Sequence, residues 1–137
     1  MRILQLHHVS LPTADLERSR RFYQEVLRLV EIQRPPFPFP GAWFQLGDRE
    51  LHLIGGENVD AQGGTGTDAN QLHFAIRVVS FRQALEHLQG KGYREDVDPT
   101  DPMHLLARPQ ALTGYPQLYI TDPDRHLIEI NAEGLDG

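Results

Sequence analysis

One pattern runs through this chain twice, and that repetition restricts its fold more than any other feature. Leu6-His7-His8-Val9-Ser10-Leu11 alternates like a strand and leads into an amphipathic segment from Asp15 to Leu27. Leu72-His73-Phe74-Ala75-Ile76-Arg77-Val78 does the same and leads into a helix-like segment from Ser80 to Gln89. Each copy closes on a strand with a polar, metal-ligating residue type between two aliphatics: Leu51-His52-Leu53, then Ile128-Glu129-Ile130. Self-similarity of this kind decides the architecture before any single element is read. It gives His8, His52, His73 and Glu129 equivalent places in two half-size modules. Such a set is expected of a metal site built from a duplicated unit.

Periodicity supplies the elements. Residues 4–11 read as a strand, with Leu6, His8 and Ser10 on one face and His7, Val9 and Leu11 on the other. Pro12 ends it, and Asp15 has the chemistry of an N-cap. Leu16, Ser19, Phe22, Tyr23, Val26 and Leu27 then form one helical stripe. Strands are expected at 29–34, 42–46 and 49–54, the last two as a hairpin about Gly47-Asp48. Between the first two, Pro35-Pro36-Phe37-Pro38-Phe39-Pro40-Gly41 is a rigid extended loop. Residues 55–69, rich in Gly, Asp and Thr, read as a linker.

The second module repeats the order. Ser80-Phe81-Arg82-Gln83 has capping-box spacing, Phe81, Ala84, Leu85 and Leu88 face inward, and Gly90 and Gly92 stop the helix. A strand is expected at 93–97, an irregular excursion at 98–114, and a closing hairpin of 115–121 with 127–131. The chain is expected to be a single domain over residues 1–137, with module 1 at about 4–54 and module 2 at about 70–133. Its class is α+β.

Strand parity tests the four residues separately from their chemistry. Opposite His8 lie Val9 and Leu11; opposite His73 lie Leu72, Phe74 and Ile76, directed at Phe81 and Leu85. His52 and Glu129 likewise oppose flanking aliphatics. A polar face over a packed core requires this alternation. Trp43 and Glu50 share the face of His52. His7 falls on the wrong face, His87 on an outer helix, and His104 and His126 in loops, so these four are read as structural.

Composition removes whole classes of function. A formal net charge of −6 without any block of Lys or Arg argues against nucleic acid and anionic membrane as partners. No stretch is long and apolar enough to span a bilayer, and the first residues have no secretory pattern, so a cytoplasmic location is expected. With no Cys there is no thiolate metal site, and any ion must sit among imidazoles and carboxylates.

The strand–helix–strand–strand–strand order resembles the vicinal oxygen chelate superfamily, which includes glyoxalase I, bleomycin resistance proteins and extradiol dioxygenases. Particular matches are His8-Val9-Ser10-Leu11 followed by Asp15-Leu16-Glu17 and Phe22-Tyr23, and Asp122-Pro123-Asp124 ahead of Glu129. The resemblance covers nearly the whole chain. It implies two tandem βαβββ modules whose eight strands curl into a cup-shaped mixed sheet, with four helices outside. It also implies a divalent ion, Zn, Ni, Co, Mn or Fe, on His8, His73 and Glu129, with His52 as fourth ligand and Glu50 as the fallback carboxylate.

A metal held by these residues suits Lewis-acid chemistry on two adjacent oxygens of a small-molecule substrate. A glyoxalase I-like lyase or isomerase is the leading expectation, with Glu129 and Tyr119 catalytic and Trp43 and Tyr119 against the substrate. Glyoxalase I has a carboxylate at the position of His52, however, so a matched carboxylate pair is absent. An extradiol Fe(II) dioxygenase is the alternative, with His52 and Tyr119 as acid–base groups. A drug-binding resistance protein without chemistry is the third. A homodimer is expected.

Overall fold

A computed structural model describes residues 1–57 and 59–136. The chain divides into two compact units, Met1–Gln62 and Gly63–Gly137. The first contains β1 (His8–Pro12), α1 (Leu16–Glu25), β2 (Val30–Ile32), β3 (Gly41–Leu46) and β4 (Arg49–Ile54). The second contains β5 (His73–Arg77), α2 (Phe81–Gly90), β6 (Leu106–Arg108), β7 (Gln117–Thr121) and β8 (Leu127–Asn131).

Each unit is one βαβββ module with a four-stranded mixed sheet. The orders are β1-β4-β3-β2 and β5-β8-β7-β6, so the two topologies are the same. In both, the first strand runs parallel to the last because a helix crosses between the first and second strands. The other neighbours are antiparallel. The described residues hold one helix per module, two in place of the four that the resemblance implies.

Local chemistry explains the helices. Asp15 caps α1 by accepting from Arg18 N, and Ser80 caps α2 by accepting from Gln83 N. α1 buries Ser19, Phe22 and Tyr23 against β3 and β4, whose Phe44, Leu51 and Leu53 are fully enclosed. Each such large apolar side chain stabilises the fold by about 1.5–3 kcal/mol. Phe81 and Leu88 are the buried positions of α2. Gly92, at φ 99°, turns the chain away from the end of α2.

Three expectations need correction. β1 starts at His8 and not at residue 4, because pairing with β4 begins at His8 opposite Glu50; Leu4 and Leu6 are left exposed. Leu72 is 97% exposed and faces no helix, since β5 begins one residue later. Residues 93–97 do not form a strand. Arg94 makes one isolated bridge to His104 and its guanidinium clamps Asp96 at 2.6 and 2.8 Å, after which Asp98 accepts from Thr100 N and the chain turns. The second strand of the module is β6, inside the expected irregular excursion and next to the fully buried Leu105.

Candidate metal centre

In the first unit the expected residues lie on one face of the sheet. Parallel register sets His8 opposite Glu50 and Ser10 opposite His52, and Trp43 of β3 faces His52 across the antiparallel pair. The rings form a continuous stack. His52 lies flat on Trp43, with centroids 3.8 Å apart and planes 2° apart, and His8 lies over His52 at 4.1 Å and 19°. Phe37 of the Pro-rich loop reaches the Trp43 ring at 6.2 Å, so Trp43 both lines this face and braces the loop.

His52 is buried, and its Nε2 lies 2.9 Å from Glu50 Oε1. His8 is exposed, with Nδ1 2.9 Å from Nδ1 of His7. Desolvation, then repulsion from His52 and His7, hold His8 below its ordinary value despite the opposing charge of Glu50. A neutral imidazole is the form that ligates a metal. His7, assigned to the opposite face by alternation, instead lies just outside β1 with its ring edge against His8.

The second unit carries the carboxylate half. Tyr119 of β7 is opposite Glu129 of β8, and Ala75 of β5 flanks Glu129 on the other side. Glu129 is 5% exposed and fully engaged: Tyr119 OH donates to Oε1 at 2.8 Å and Asn131 Nδ2 donates to Oε2 at 2.6 Å. Burial alone would raise this carboxyl. Hydrogen bonds from Asn131, Tyr119 and Gln117, with the charge of His73, outweigh that and hold it below the usual range. The Tyr119 hydroxyl is pushed up to about 12 by burial, by its bond to Glu129 and by that carboxylate's charge. It is thus a proton donor at neutral pH.

His73 has a fixed tautomer. Its Nδ1 lies 2.8 Å from the Gln71 carbonyl, which can only accept, so Nδ1 carries the proton. In the neutral ring Nε2 then presents its lone pair, 3.6 Å from Glu129 Oε1. An imidazole fixed through its far nitrogen is the usual state of a metal-ligating histidine. Two such donors on one ion, at bond lengths near 2.1 Å, stand about 3–3.6 Å apart. The chemistry and spacing of this pair fit a divalent cation.

The expected ligands thus form two pairs, His8 beside His52 in one unit and His73 beside Glu129 in the other. Module equivalence extends beyond them: Trp43 stands to His52 as Tyr119 stands to Glu129. A further group drew no ligand reading from sequence. Asp122, Asp124 and His126 hold potential ligand atoms within 4.8 Å of one another. Here Asp122 Oδ1 accepts from the backbone N–H of Asp124 and His126, and Arg125 turns at φ 67°, so Asp122 is the pin of the β7–β8 turn. His104 is likewise structural, bonded through Nδ1 to Thr67 at 2.5 Å and buried.

Comparison with known proteins adds four findings. The family model of the Glyoxalase/Bleomycin resistance protein/Dioxygenase superfamily matches residues 5–130. The chain is similar to Glyoxylase I 4 of Arabidopsis thaliana, at 27% identity over 98% of this chain and 75% of that protein. Among solved structures it is similar to a glyoxalase family protein from Bacillus anthracis, with TM-score 0.73, 21% identity, and 96% and 97% of the two chains covered. A single-residue mutant of the fosfomycin resistance protein FosX of Listeria monocytogenes, solved with Mn(II) and 1S,2S-dihydroxypropylphosphonic acid, superposes with TM-score 0.69 and 21% identity, covering 98% and 95%.

Proposed function

The chain belongs to the Glyoxalase/Bleomycin resistance protein/Dioxygenase superfamily, and from that premise we propose that it is a divalent-metal-dependent enzyme acting on a small molecule bound through two adjacent oxygens. The observation that carries this reading is the His73–Glu129 pair, with an Nε2 lone pair and a carboxylate oxygen 3.6 Å apart and both held in place from behind. From the sequence reading, His8 is proposed as a third ligand and His52 as a fourth. Support also comes from the FosX complex, which holds Mn(II) together with a ligand that has hydroxyls on two adjacent carbons. Zn, Ni, Co, Mn and Fe all suit this donor set.

The bound ion would supply Lewis-acid stabilisation of negative charge on the chelated oxygens. The remaining tasks belong to the chain. Glu129 is kept anionic by its donors and is the carboxylate that would take a proton in a redox-neutral lyase or isomerase reaction. Tyr119 keeps its own proton and holds Oε1, which sets the direction of the carboxylate. The flat Trp43–His52 stack offers an aromatic surface in the first unit, the contact proposed for Trp43 with substrate.

One observation favours the second reading, an extradiol Fe(II) dioxygenase. His52 Nε2 already has a partner in Glu50. If that bond persists, three protein ligands remain, and His52 with Tyr119 becomes the acid–base pair. The test begins with elemental analysis of protein purified without chelator, followed by a panel of 2-oxoaldehyde thiol adducts, epoxides and catechols. Replacing His73 with Ala is expected to abolish stoichiometric metal. A His73→Ala protein with undiminished metal content would sink the proposal, and oxygen uptake with catechols by the Fe(II)-loaded protein would favour the dioxygenase.

A further inference from the structure

The carboxylate of Glu129 is held by a chain of contacts that ends at an exposed cation. Asn131, itself buried, donates from Nδ2 to Glu129 Oε2 at 2.6 Å. Its other amide atom, Oδ1, accepts from Arg77 Nε at 2.7 Å. The two residues are register partners across the parallel β5–β8 ladder, which sets this contact. The Arg77 guanidinium in turn lies over the Tyr115 ring, 4.9 Å from its centroid. Among the described residues Arg77 has no carboxylate partner.

A primary amide can turn over, and its two ends differ only in hydrogen-bonding sense. Guanidinium has donors and no acceptor, so the Asn131 atom facing Arg77 must be the oxygen. The amino group is thereby turned towards Glu129. Turned the other way, the amide would set its oxygen against the carboxylate and its amino group against a cation, and both contacts would be repulsive. We propose that Arg77 is a positioning residue for the metal ligand Glu129, acting through the orientation of the Asn131 amide, with Tyr115 holding the guanidinium in place. This inference rests on the reading of Glu129 as a ligand. Arg77 touches neither the ion nor the substrate, and its effect is to keep Oε2 occupied by a donor so that Oε1 stays directed at the His73 side.

The experiment is a binding cycle on the full chain with Mn(II) alone, read from the free-ion signal in electron paramagnetic resonance. Asn131→Leu should weaken Mn(II) binding about tenfold to a hundredfold, the usual effect of removing a partner behind a ligand. Arg77→Met should weaken it by about threefold to tenfold, and Arg77→Lys, which still donates, should restore most of the loss. The double variant should bind no worse than Asn131→Leu, because Arg77 acts only through the amide. A nuclear magnetic resonance readout in the metal-free protein accompanies this: the Asn131 side-chain amide should lose its slow, hydrogen-bonded character in Arg77→Met and keep it in Arg77→Lys. Equal losses from Arg77→Met in both backgrounds, or none in the wild-type background, would overturn the relay alone. Wild-type protein that binds no Mn(II) would overturn the ligand reading of Glu129, and the relay's purpose with it.

Discussion

At the scale of single residues, the two expected ligand pairs differ in how firmly each is committed. Glu129 has a donor on each oxygen and His73 has a fixed tautomer, whereas His52 has Glu50 as a competing partner. His52→Ala therefore separates the two reactions. If His52 ligates, the variant should lose metal affinity tenfold or more; if it is an acid–base group, affinity should hold and turnover should vanish. Parallel metal titration and steady-state kinetics check this, and a variant unchanged in both would remove His52 from the site. Tyr93 gives a prediction independent of metal. Burial, and then the charge of Asp122, push its hydroxyl up to about 12 from an ordinary 10. Between those values the native state holds a proton that the unfolded chain has released, so stability falls as pH rises through 10 to 12. Tyr93→Phe should flatten that fall by up to roughly 2 kcal/mol, read from urea melts at pH 9 and pH 11.5. The shared faces of the candidate residues were legible because strand alternation is a local property. The partners behind Glu129 were not, because Arg77 and Asn131 meet only when β5 lies beside β8.

At the scale of elements, the helices were the most legible and the loops the least. Both N-caps form at the residues whose side chains offer an oxygen to the first turn, Asp15 and Ser80. Ser80 also bonds the Asp136 carboxylate, which lies far along the chain. Asp15→Ala and Ser80→Ala should each destabilise the protein by about 1 kcal/mol, with Ser80 at the upper end because two contacts are lost. Urea denaturation measures both, and a Ser80→Ala protein as stable as wild type would mean the cap carries no weight. The misread strand at 93–97 has a physical cause. Tyr93 and Val97 suit a ladder, but Arg94 and Asp96 bond to each other and Asp98 to its own neighbours, and such local bonds compete with strand pairing. β6 was hidden for the converse reason. Leu106–Arg108 is three residues long, too short for alternation to register, and only pairing with β7 makes it a strand.

At the scale of the whole molecule, duplication explains why chemistry so sparse in sequence falls on matched sites. One topology used twice gives His8 and His73 the same strand, and His52 and Glu129 the same strand. It also leaves four sheet edges, because within their own sheets β1, β2, β5 and β6 each have a neighbour on one side only. Unpaired edges invite pairing with another chain unless they are covered. Near them stand large exposed aliphatics: Leu6 at 75%, Val30 at 70% and Leu72 at 97%. Single exposed aliphatics are ordinary, but aliphatics beside open edges are what a self-complementary interface buries. The expected assembly is a homodimer, so light scattering after size exclusion should give twice the 15.6 kDa chain mass at micromolar concentration. Leu6→Asp and Leu72→Asp should shift that equilibrium towards monomer by tenfold or more, since a charge would have to be desolvated at the interface. A wild-type protein that stays monomeric at 100-fold higher concentration would overturn the dimer.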